Sequence, residues 1–308
     1  MTAPAQRVAA PRKLLLATDL GPGCDRALAR AVSLARQWRA SLLVVSVVDP
    51  AARRAQAILG GDAPAWCRAP DPLRDAERAI HRDMAGLDID WTLHVEEGDP
   101  AEVLARIAAE AGSDLVITGA PHLDALGQVT LGSTLSGLLR ATRLPLLAVR
   151  ERVHAPYRHL LVASDLSDCS RDALETASAL FPQTRMAVLN GFDVPMLGLL
   201  NQSRDTTVDD ARVRGREALA DFVATSALTG AHAGAVERIV ERGDPARLLR
   251  QVAASRPVDL VVLGAHGRSA IREVAIGSVA KRILASVPVD ALLVRSAAAS
   301  AAPGSFAT

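Results

Sequence analysis

The chain is 308 residues long with a formal net charge of +1; hydrophobic residues make up 49%, charged residues 22% and aromatic residues 3%. At roughly 100–200 residues per domain, this length predicts two domains, each large enough for its own core. Balanced charge and few aromatic rings argue against an extended nucleic-acid face, which needs a basic excess and stacking platforms, and the apolar content argues against global disorder.

The elements come in one order, twice. An apolar run (Lys13–Thr18; His159–Ser164) precedes an Ala-rich helical pattern (Cys24–Trp38; Asp168–Phe181). A second run (Ser41–Val48; Arg185–Phe192) leads into a long charged segment that ends in a helix. The charge-rich stretch Arg204–Glu217 reads as a solvated helix face. A third run precedes a Gly-Asp-Pro turn (Gly98-Asp99-Pro100; Gly243-Asp244-Pro245). Asp as N-cap and Pro at the first helical position start a helix there. That helix feeds a wholly apolar strand, DLVITG or DLVVLG, then a glycine-bearing loop, a last helix and a last strand (LPLLAVR; VDALLVR).

These parallels are a true repeat. EEGDPAEVLARIAAEAGSDLVITG, ending at Gly119, aligns without a gap on ERGDPARLLRQVAASRPVDLVVLG, ending at Gly264, and the same offset carries Gly132-Ser133 onto Gly277-Ser278. Strands apolar on both faces, alternating with helices, indicate a parallel sheet covered on both sides. The expected fold is α/β: two repeated doubly wound parallel-sheet, Rossmann-like domains. The first spans 1–150, the second 151–296, and 297–308 form a small-residue tail expected to be disordered.

No apolar run approaches the roughly 20 residues needed to cross a bilayer, and residues 1–12 lack the apolar stretch of a signal peptide. The expectation is a cytoplasmic protein with no membrane or nucleic-acid partner. Cys24, Cys67 and Cys169 lie far apart without CxxC spacing, so three free thiols are expected.

In an open parallel sheet, ligands sit beyond the carboxyl ends of the strands where strand order reverses, which singles out the loops after strands 1 and 4. In the second half the latter reads GAHGRSAIREVAIGSV, with Gly264, Gly267 and Gly277-Ser278 at the spacing G-x2-G-x9-G-S. Glycines let a backbone approach phosphates closely. Gly277, Ser278 and Val279 open a helix whose free N–H groups make an anion site, and Arg268 adds a positive charge. His266 reads either as a phosphate or ribose contact or as a solvent-facing spacer.

On these residues the second half resembles the universal stress protein family, and the whole chain resembles its tandem two-domain members. The glycine pattern matches the family's ATP-binding pattern at all four positions. The resemblance implies a nucleoside contact at Asp165, within Ala163, Ser164, Asp165 and Ser167. It implies an adenine neighbour at Gly191, and a ribose and phosphate loop through Gly264, His266, Gly267, Arg268, Gly277, Ser278 and Val279. ATP, alone or with Mg2+, is then the expected ligand of the second domain.

The first half departs from this pattern. His122 stands where Gly267 stands, Leu123 replaces Arg268, Pro121 removes an N–H donor, and Asp124 adds a carboxylate. Asp19 remains, either as a nucleoside contact or as a plain turn residue. One ATP site per chain is expected, in the second half.

No P-loop, G-x-S-x-G elbow or HExxH motif is present, and the seven histidines lack metal-ligand spacing. No catalytic or metal-ligating residue is assigned. The expected function is a stress-response regulatory protein that binds ATP without robust turnover, leaving room for slow hydrolysis. The alternative is a nucleotide-independent adaptor acting through a protein partner. Two linked copies also suggest an internal pseudo-dimer through the last strands, Leu144–Arg150 and Asp290–Arg295, and leave a homodimer open.

Overall fold

The computed structural model describes residues 10–21, 23–50, 71–120, 132–192, 204–266 and 276–296. The chain divides into two compact units, Ala9–Pro156 with Pro288–Ala291, and Met1–Val8 and Tyr157–Val287 with Leu292–Thr308. The proposed tail 297–308, Cys67, and the first copy's loop from Pro121 to Leu131 lie outside the described residues.

The first copy comprises β1 (Lys13–Thr18), α1 (Cys24–Trp38), β2 (Ser41–Val48), α2 (Pro72–Met84), β3 (Trp91–Glu97), α3 (Pro100–Ala111), β4 (Leu115–Gly119), α4 (Ser133–Ala141) and β5 (Leu146–Val149). The second comprises β6 (His159–Ser164), α5 (Asp168–Leu180), β7 (Arg185–Phe192), α6 (Arg204–Ala224), a 3-10 turn at Gly230–His232, β8 (Glu237–Arg242), α7 (Pro245–Ser255), β9 (Leu260–Gly264), α8 (Ser278–Ser286) and β10 (Asp290–Val294). Strand order is β3-β2-β1-β4-β5 in the first copy and β8-β7-β6-β9-β10 in the second. β1 pairs in parallel with β2 and β4, and β6 with β7 and β9. Each copy is therefore doubly wound, and order reverses at β1/β4 and at β6/β9.

The apolar runs make these strands because both sheet faces are covered. Leu14 and Leu15, Val162, Val261 and Val262 are fully or almost fully buried, each contributing about 1.5–3 kcal/mol by burial. The Gly-Asp-Pro turns start helices as expected. Asp99 accepts from the N–H groups of Ala101 (2.9 Å) and Glu102 (3.0 Å), and Asp244 from that of Arg247 (3.0 Å). Gly112, at φ 63°, ends α3 in the left-handed conformation that glycine takes without strain. The charged stretch at Arg204 lies in α6, which is largely exposed from Asp209 to Glu217 and buries Leu219 and Phe222. Among the described residues no helix is long and apolar enough to cross a membrane.

Candidate functional site

The turn after β6 is built by short side chains. Ser164 Oγ accepts from the N–H of Leu166 at 3.0 Å, and Leu166 sits at φ 63°. A left-handed leucine costs about 1–2 kcal/mol, so the surrounding bonds must hold it there. Asp165 supplies most of them. Its Oδ1 accepts from Ser167 N–H (3.1 Å), Ser167 Oγ (2.5 Å) and Ser170 Oγ (2.5 Å). Ser167 also caps α5, accepting from Ser170 N–H at 3.3 Å. From the neighbouring strand, Asn190 Nδ2 donates to the Ser164 carbonyl at 2.9 Å, across the register pair Ser164–Asn190. Ala163 precedes this turn and is half-buried, like Asp165.

Beside β6, β9 ends at Gly264 against the start of α5. A Cβ on Gly264 would lie 2.8 Å from Cys169 Sγ and 3.0 Å from the Cys169 carbonyl oxygen. The chain then returns: Ala265 N–H donates to Val294 O at 2.8 Å, and Gly277 N–H to Ala265 O at 2.9 Å. This brings the start of α8 to the end of β9. Gly277 is the N-cap and supplies no side-chain cap, so the first N–H groups of α8 lack that partner. Ser278 and Val279 are exposed there, and His266 is half-buried. Gly267 and Arg268 lie outside the described residues.

Gly191 stands one residue past Asn190 on β7, paired with Glu241. A Cβ there would meet Gly243 O at 3.2 Å, Leu248 Cδ1 at 3.3 Å and Pro245 Cγ at 3.4 Å. Its lack of a side chain thus lets β7 pack closely on the Gly-Asp-Pro turn. The site combines a carboxylate acceptor at the end of β6 with an uncapped helix N-terminus beyond β9. That pair suits a ligand with O–H or N–H donors at one end and an anion at the other.

The sequence profile of the universal stress protein family matches residues 11–150 and again 156–295. The chain belongs to the universal stress protein family. A universal stress protein of Mycolicibacterium smegmatis is 29% identical over 234 residues, covering 72% of this chain and 75% of that one. A universal stress protein of Mycobacterium tuberculosis is 29% identical over 208 residues, covering 64% and 66%. Among solved structures, a universal stress protein from Archaeoglobus fulgidus superposes with a TM-score of 0.61 at 15% identity, over 92% of this chain and 98% of that one. A functionally unknown protein from Pseudomonas aeruginosa gives 0.63 at 16%, over 93% of each. At these identities the structures speak to the fold.

This tandem universal stress protein repeats the β6 turn in its first copy. Leu20 sits at φ 59° with its N–H on Thr18 Oγ1 at 3.1 Å, and Asp19 Oδ1 accepts from Gly21 N–H at 2.8 Å. The Cys24 thiol donates to Asp19 Oδ1 at 3.0 Å, where Ser170 donates to Asp165. Burial and then the Asp19 hydrogen bond push the Cys24 thiol up, which keeps it a donor. Asp19 has a glycine where Asp165 has the Ser167 hydroxyl, and it is exposed. Ser170 and Asn190 were not legible as site residues. The available signal was the hydroxyl five positions after Asp165 and the polar residue inside the apolar run of β7.

Proposed function

We propose that this chain is a stress-response regulatory protein whose second copy binds one ATP, with or without Mg2+, and turns it over slowly or not at all. The observation that carries this reading is the placement of the fixed Asp165 carboxylate and of the uncapped α8 N-terminus at Gly277-Ser278 at the carboxyl ends of the neighbouring strands β6 and β9. The carboxylate takes donors of the nucleoside, and the helix N–H groups take a phosphate. His266, Val279 and, by their place in the motif, Gly267 and Arg268 join the phosphate end. Ala163, Ser164, Ser167 and Gly191 border the nucleoside end.

Bound ATP would act by linkage. At a ligand concentration about 100 times Kd it stabilises the binding form by about 2.7 kcal/mol, enough to bias a two-state surface if one state binds better. A protein partner reading that surface, an internal pseudo-dimer of the two copies and a cytoplasmic location belong to the same proposal. Equilibrium dialysis with labelled ATP tests it: one mole per mole of chain is expected, and two would refute the single-site reading.

One observation favours the alternative of a nucleotide-independent adaptor. Gly264 is demanded by the Cys169 contact, and a Cβ on Gly119 would lie 3.1 Å from Gly23 O. The first glycine of the pattern thus has a packing reason in both copies, including the one that carries His122 in place of the second glycine. The same dialysis decides: no bound nucleotide favours the adaptor.

A further inference from the structure

The two copies make the same turn with different chemistry around the carboxylate. In the second copy, three donors converge on Asp165 Oδ1, two of them hydroxyls at 2.5 Å. Ser170 is only 4% exposed, and its Oγ also accepts from the Asp165 N–H at 3.2 Å. It thus grips the aspartate at both backbone and side chain. In the first copy the corresponding grip is one backbone N–H and a thiol at 3.0 Å, a weaker donor.

We propose that Ser170 is a positioning residue for the ligand site: by holding Oδ1 of Asp165 it fixes the plane of the carboxylate that a nucleoside donor meets. This deepens the ATP-binding reading and rests on it. Three donors on one oxygen, two of them hydroxyls, restrain the carboxyl from turning. A ligand that finds this carboxylate already oriented avoids the cost of ordering it, which is the advantage of a preorganised site. Ser167 shares the grip but also caps α5, so Ser170 separates orientation from helix stability better.

The test measures Mg-ATP affinity by calorimetry for the intact chain, Ser170→Ala and Ser170→Cys. In parallel, three-bond NMR couplings report the Asp165 side-chain torsion in the ligand-free proteins. Ser170→Ala is expected to lose about tenfold in affinity, as removal of a hydrogen bond to a charged group does, and to show mixed Asp165 rotamers. Ser170→Cys, which installs the donor used at Cys24, should recover part of both. A Ser170→Ala protein that keeps a single rotamer, or binds ATP within about twofold of the intact chain, overturns the inference alone. An intact chain that binds no ATP overturns the site reading and this inference together.

Discussion

The Cβ that Gly264 lacks would stand 2.8 Å from the sulfur of Cys169. That distance is shorter than any ordinary carbon–sulfur contact, so the end of β9 and the start of α5 are seated against each other through a missing methyl group. This contact seats the end of β9 beside the helix that follows the Asp165 turn.

Gly264→Ala should therefore destabilise the protein by about 1–3 kcal/mol, the range for overpacking a filled interior, read from urea unfolding. Cys169→Ala in the same chain should restore part of the loss, because the sulfur goes but the Cys169 carbonyl stays at 3.0 Å. Gly119→Ala, whose Cβ would come no nearer than 3.1 Å, to Gly23 O, should cost less.

The helix starts make a second, separable prediction. Asp244 both caps α7 and pairs with Arg282 at 2.7 Å, where the side chains are 38% and 55% exposed. Exposed pairs contribute little, whereas an N-cap is worth about 1 kcal/mol. Asp244→Ala should lose about 1 kcal/mol in urea unfolding, and Arg282→Ala should change stability by a few tenths at most. Asp99→Ala should match Asp244→Ala.

A third prediction concerns pH. His232 is 1% exposed, with Nε2 at 2.7 Å from Thr184 O and Nδ1 at 3.1 Å from Ser178 Oγ. Burial holds its pKa below the ordinary imidazole value, against the raising effect of Thr184. The unfolded chain then binds the proton first. The stability from this group is whole above the unfolded value of about 6.5 and falls as pH drops from there through the depressed folded value. The urea midpoint should decline between about pH 7 and 5, and His232→Gln should flatten that decline.

Much of the fold was legible because burial on both sheet faces writes itself as unbroken apolar runs, and because the chain states its pattern twice. The Gly-Asp-Pro turns were legible too, since capping is local chemistry. What the sequence could not disclose needs tertiary neighbours. Gly191 and Gly264 read as ligand glycines, yet the atoms crowding them are Gly243 O and Cys169 Sγ. Ser170 and His232 carried no motif, because their partners are fixed only once α5 is in place. The helix expected to end at Phe181 stops at Leu180, where Phe181 leaves the helix to stack edge-on against Tyr157 at 5.4 Å.

The central claim is a single ATP site at the α8 N-terminus, and a calorimetric titration of Mg-ATP into the nucleotide-free chain and into Gly277→Glu tests it most directly. Gly277 has φ −55° and ψ 144°, a conformation any residue adopts, so the variant should fold while setting a carboxylate against the phosphates. The account predicts one ATP per intact chain and its loss in the variant. No binding by the folded intact chain, or binding that Gly277→Glu leaves unchanged, would contradict it.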